Sequence, residues 1–126
     1  MRKIAMMVAL VMMLVPLGAG LAFAADQIIQ CRSNPCIGSG NEDLVYERIG
    51  NRKADTIILK GGDDRVLANA YTNDTDRVRG GSGFDRLNVA DGDTRDRVGI
   101  GDGGRDVCIV DSRAEAGPGC ARVITR

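Results

Sequence analysis

An aspartate, one variable residue and then an aliphatic residue or cysteine recur seven times between residues 43 and 108 of this 126-residue chain. The triplets are Asp43-Leu44-Val45, Asp55-Thr56-Ile57, Asp64-Arg65-Val66, Asp76-Arg77-Val78, Asp85-Arg86-Leu87, Asp96-Arg97-Val98 and Asp106-Val107-Cys108. Asp43, Asp64, Asp85 and Asp106 repeat every 21 residues, with Asp55, Asp76 and Asp96 interleaved between them. A fixed period confines a chain to an architecture that repeats in space. Each triplet opens a short strand, and the Gly, Asp and Asn between triplets supply turns. Two strands and two turns make one coil, and the next coil stacks about 4.8 Å above it as parallel strands. The expected fold is all-β, a short parallel β-roll or β-solenoid with about 21 residues per coil.

Strand alternation assigns the faces. Val45, Ile57, Val66, Val78, Leu87, Val98 and Cys108 are expected to point inward and form a thin apolar core. The residue between, often Arg, faces water. Asp43, Asp64, Asp85 and Asp106 then form a column along one edge, and Asp55, Asp76 and Asp96 a column along the other.

Composition narrows the chemistry. The chain has 17 basic and 17 acidic residues, so bulk charge suggests neither nucleic acid nor an acidic membrane as partner. It has no His, which excludes Ser–His and Cys–His nucleophile pairs and zincin motifs. No carboxylate pair is marked as catalytic, and the expectation is a non-enzymatic protein. Arg2 and Lys3 precede an apolar run from Ile4 to Val15, and Ala22-Phe23-Ala24 follows. These are the three regions of a secretory signal peptide, expected over residues 1–24. The mature chain is therefore expected to be secreted, with no membrane association after cleavage.

The segment Gly80-Gly81-Ser82-Gly83-Phe84-Asp85-Arg86-Leu87-Asn88 matches G-G-x-G-x-D-x-U-x at every fixed position. It resembles the RTX, or haemolysin-type, calcium-binding repeat. With the partial repeats around it, the resemblance covers residues 38–111. It implies a parallel β-roll with Ca2+ held between stacked Gly/Asp turns, where backbone carbonyls and carboxylates supply oxygens. The metal ligands it implies come from Asp64, Asp85 and Asp106, the turn residues Gly80, Ser82, Gly101 and Gly103, and Asp43. Asp55, Asp76 and Asp96 on the opposite edge rank second. One of their turns carries Arg52 and Lys53, and Tyr71-Thr72-Asn73-Asp74-Thr75 has no glycine. The competing reading is a metal-free structural or adhesive β-solenoid. In it, the arginines beside each Asp neutralise the columns through Asp/Arg ladders.

Four cysteines in a secreted chain imply a disulfide framework with three possible connectivities. The small loop from Cys31 to Cys36 and the turn-like Ala116-Gly117-Pro118-Gly119 before Cys120 favour Cys31–Cys36 and Cys108–Cys120. These bonds would staple an N-terminal cap, 25–37, and a C-terminal cap, 112–126, onto the two ends of the repeats.

Overall fold

Each of the seven triplets begins a strand. The computed structural model describes residues 27–47, 53–70, 74–100 and 105–126. The expected signal peptide and the turn residues Gly101 and Gly103 lie outside them. In chain order the strands are β1 Gln27–Gln30, β2 Cys36–Ile37, β3 Asp43–Tyr46, β4 Thr56–Ile58 and β5 Arg65–Leu67. They continue as β6 Arg77–Arg79, β7 Arg86–Asn88, β8 Arg97–Val98, β9 Asp106–Val110 and β10 Cys120–Thr125. A 3-10 turn, Arg113–Glu115, precedes β10. Among the described residues no helix is long and apolar enough to cross a membrane.

Alternate strands enter alternate layers. One sheet has six strands in the order β1-β3-β5-β7-β9-β10, and the other four in the order β2-β4-β6-β8. All pairings are parallel, with Val45 beside Val66, Val66 beside Leu87 and Leu87 beside Cys108. The facing sheet aligns Ile57 with Val78 and Val78 with Val98. This is the short parallel β-solenoid that the period implied. The first rung starts earlier than residue 38, because β1 pairs with β3 and β2 with β4.

The core is the stripe of residues two places after each Asp. Val45, Ile57, Val66, Val78, Leu87, Val98 and Cys108 are each fully buried. Ala68, Val89 and Val110 add a second stripe at the end of the six-stranded sheet's strands. Such a core is only one or two side chains thick, and each coil is stable chiefly through its neighbours. The ends are closed by disulfides Cys31–Cys36 and Cys108–Cys120.

The turns from the four-stranded to the six-stranded sheet stack backbone on backbone. Gly83 has φ of +122°, and a Cβ there would lie 2.0 Å from the Gly62 carbonyl oxygen one coil below. Neither the dihedral nor the space admits a side chain. Gly83→Ala is expected to cost about 3 kcal/mol, seen as a Tm lowered by roughly 12 °C or more in thermal melts. Gly40→Ala, with nothing within 4 Å of its Cβ position, is expected to melt like the parent.

Candidate metal centre

A parallel strand leaves the N–H of its first flanking residue without a ladder partner, and a buried donor must find one. Here the Asp carboxylates supply it. The N–H groups of Asp43 and Asp64 donate to Oδ1 of Asp64 and Asp85, at 2.7 and 2.8 Å. Asp85 N–H donates to Asp106 Oδ1 at 3.1 Å. On the other edge Asp55 N–H donates to Asp76 Oδ1 at 2.8 Å and Asp76 N–H to Asp96 Oδ1 at 2.7 Å. Glu115 Oε1 ends that column by accepting from Asp96 N–H at 3.2 Å. Each acid thus extends the backbone ladder by one rung per coil. Asp suits this because its one-carbon stem holds the carboxylate beside its own strand.

Among the described residues, the arginines that directly follow the ladder acids do not neutralise them. Every described Lys and Arg side chain is exposed, whereas the column acids Asp43, Asp55, Asp64, Asp76, Asp85, Asp96 and Asp106 are at most 2% exposed. No ion pair to a described carboxylate involves Arg65, Arg77, Arg86 or Arg97. The Asp/Arg ladder expected for a metal-free solenoid is therefore replaced by an Asp-to-backbone ladder.

The ladder accounts for one oxygen of each carboxylate. On the edge where the chain passes from the six-stranded to the four-stranded sheet, several second oxygens are buried without a hydrogen-bond partner. They are Glu47 Oε2, Asp76 Oδ2, Asp91 Oδ2, Asp96 Oδ2 and both oxygens of Asp74. Asp74, Glu47, Asp76 and Asp96 are themselves 4%, 2%, 0% and 0% exposed. The acids gather in three groups whose ligand oxygens lie within 4.8 Å of one another: Glu47, Asp55 and Asp76; Asp74, Asp91 and Asp93; Asp93, Asp96 and Glu115. A carboxylate can only accept hydrogen bonds. Such a group therefore needs a proton or a cation among its oxygens. Burial pushes Asp76 up to about 8 and Glu47 and Asp96 to about 7. The same cause lifts Asp91 to about 6 and raises Asp74.

The backbone presents these acids from three consecutive turns. Asp91 Oδ1 accepts from Asp93 N–H at 2.9 Å and Asp93 Oδ1 from Arg95 N–H at 2.7 Å, so the loop folds over its own side chains. Asp111 Oδ2 pins it from the next coil by accepting from the N–H groups of Asp91 and Gly92, at 2.7 and 2.8 Å. Glu115 is held by its capping box, Oε2 accepting from Ser112 N–H at 2.7 Å and Asp111 N–H at 2.9 Å. Glu47 Oε1 accepts from Ala70 N–H.

The edge that the repeat motif favoured is built differently. Asp43 folds back on its own turn, where Oδ2 accepts from Ser39 N–H at 2.6 Å and Oδ1 from Ser39 Oγ at 2.8 Å. A Cβ on buried Gly80 would lie 2.2 Å from Asp85 Oδ2 and 2.9 Å from Asp106 Oδ2, so these carboxylates lie against the glycine backbone. Ser82 is exposed and forms a parallel bridge with Gly61. Asp64, Asp85 and Asp106 each bury their Oδ2 on this edge too; Asp64 Oδ2 has no hydrogen-bond partner, and burial raises that group to about 6. Among the described residues, no group of three close carboxylates includes Asp43, Asp64, Asp85 or Asp106. Asp55, Asp76 and Asp96, the column ranked second, each belong to one.

Sequence reasoning missed Glu47, Asp74, Asp91, Asp93 and Glu115. A signal existed for Glu47: it stands where the following coils place Ala68, Val89 and Val110. A lone acid in an apolar stripe is costly to bury and points to a function. Glu115 carries no such signal, since it is off the Asp period and reaches its rung from the 3-10 turn.

No family model, curated protein or solved structure matches this chain. The resemblance to the haemolysin-type repeat rests on the Gly80–Asn88 motif and the Asp period.

Proposed function

We propose that this chain is a secreted, non-enzymatic, calcium-binding β-roll related to the haemolysin-type repeat proteins. The observation that carries the reading is the set of buried carboxylate oxygens for which the backbone ladder offers no partner. Their hard-oxygen character suits Ca2+, which takes six to eight oxygens in flexible geometry. Glu47, Asp55 and Asp76, then Asp74, Asp91 and Asp93, then Asp93, Asp96 and Glu115 are the side chains that would hold it. When bound, the ion supplies positive charge that relieves repulsion among carboxylates in a poorly solvated edge. The two disulfides and the leader-like residues 1–24 support an oxidising, extracellular destination, where calcium is plentiful.

Isothermal calorimetry in two buffers of different protonation enthalpy tests this. Calcium uptake with release of protons near neutral pH is expected, because the ion replaces protons on the raised carboxyls. Asp74→Ala is expected to weaken uptake by about tenfold or more, since it removes a ligand without breaking a ladder bond. Absence of any calcium heat, with the β signal in circular dichroism unchanged by chelator, would leave a metal-free structural solenoid. A loss confined to Asp85→Ala would return the site to the glycine-rich edge, where the unpartnered Asp64 Oδ2 is the supporting observation.

A further inference from the structure

The balanced composition hides a segregation of charge. Ten carboxylates are at most 4% exposed, while every described lysine and arginine faces solvent. On the outer face of the six-stranded sheet this leaves a row of arginines. Val66 and Leu87 point into the core, so their neighbours Arg65 and Arg86 point out. The register sets Arg65 beside Arg86, Arg86 beside Val107 and Val107 beside Arg122. The row therefore runs along the solenoid axis, one strand spacing of about 4.8 Å per step with Val107 filling one step. No ion pair to a described carboxylate engages Arg65, Arg86 or Arg122. In the turn before β7, two residues ahead of Arg86, Phe84 is 58% exposed, with the Arg105 guanidinium 5.6 Å from its ring centroid. Its backbone N–H is tied to Asp63 Oδ1 at 2.9 Å.

We propose that this face docks a linear acidic polysaccharide, with Arg65, Arg86 and Arg122 pairing successive sulfate or carboxylate groups and Phe84 stacking against a sugar ring. The inference goes beyond calcium binding. A straight, rigid row of guanidinium forks complements anions repeated along a polymer, because arginine pairs sulfate and carboxylate bidentately. The strand step is comparable to the advance of a single sugar ring. Single-stranded nucleic acid fits less well, since binding it calls for several aromatic platforms. The arginine row has Phe84 in the turn leading into it and half-buried Tyr46 on the same face. A bilayer fits less well because the aliphatic neighbours Leu67 and Ile109 are recessed; Ile28 protrudes only at the far end of the sheet.

Heparin is the probe, with the full mature chain in calcium buffer, titrated over a range of NaCl concentrations. Arg65→Gln/Arg86→Gln is expected to weaken binding by about tenfold and to lower the slope of log K against log salt by roughly two. Phe84→Ala is expected to weaken binding with the slope unchanged. Arg77→Gln/Arg97→Gln, the same charge change on the other sheet, is expected to stay within about twofold of the parent. Circular dichroism checks each fold, and Arg122→Gln on the terminal strand serves if the first double variant does not fold. Equal losses from the two double variants would reduce the effect to net charge and overturn the proposal. So would no heparin binding, or tighter binding to phosphatidylserine vesicles or to single-stranded DNA than to heparin.

Discussion

In the presence of a chelator, raising the pH from about 5 to about 8 is expected to lower the Tm by roughly 10 °C, and saturating calcium is expected to abolish the fall. The sign follows from the second edge. Burial raises Glu47 and Asp96 to about 7 and Asp76 to about 8, from 4.5 for a Glu and 3.8 for an Asp. The folded state thus holds protons that the unfolded chain has released. Their contribution to stability is complete below about pH 4 and is lost as pH rises through the folded values. A net loss of about 2 kcal/mol corresponds to the stated shift in a domain of this size. On the proposed function, calcium is expected to reverse it, because an ion held by the deprotonated groups of the folded state alone stabilises that state. A metal-free Tm that rises between these two pH values would contradict the assignment of these acids as a buried, unneutralised cluster.

Asp76→Asn is expected to act in opposite directions with and without the metal. The amide oxygen keeps the rung to Asp55 N–H that Asp76 Oδ1 now makes at 2.8 Å. The amide nitrogen replaces Oδ2 and turns a donor towards the Glu47 and Asp55 carboxylates, whose ligand oxygens lie within 4.8 Å. In chelator at about pH 8 this removes a buried charge and is expected to raise the Tm by roughly 5 °C. In calcium the variant has lost an anionic ligand, and its affinity is expected to fall by about tenfold. Paired melts and titrations read both effects from the same protein. A purely structural ladder would show the first effect or neither, and would show no calcium term.

Much of the architecture was legible because strand stacking writes itself into the period. The 21-residue return of Asp43, Asp64, Asp85 and Asp106 became the observed parallel register, and the residue two places on became the core. Both disulfides followed from loop size and position. The destination of the carboxylates was not legible. Asp-x-aliphatic is the same string on both edges, and whether its second oxygen meets backbone, arginine or another acid depends on how the preceding turn folds. The glycine-rich turn Gly80–Gly83 matches a known repeat motif. On that edge the carboxylates of Asp85 and Asp106 lie against the backbone of Gly80, and that of Asp43 against Gly38. On the opposite edge the carboxylates of Asp74, Asp91 and Asp93 converge instead. Balanced charge was misleading because it counts residues, whereas the fold buries ten of the described acids and leaves every described arginine exposed.

The most direct test of the metal centre is an anomalous difference map from crystals grown in calcium and exchanged with a lanthanide. The expected result is density among Asp74, Asp91 and Asp93, or among the neighbouring groups that include Glu47, Asp76, Asp96 and Glu115. Density confined to the turns around Gly80 and Asp85, or a map with no site on either edge at saturating metal, would contradict the account.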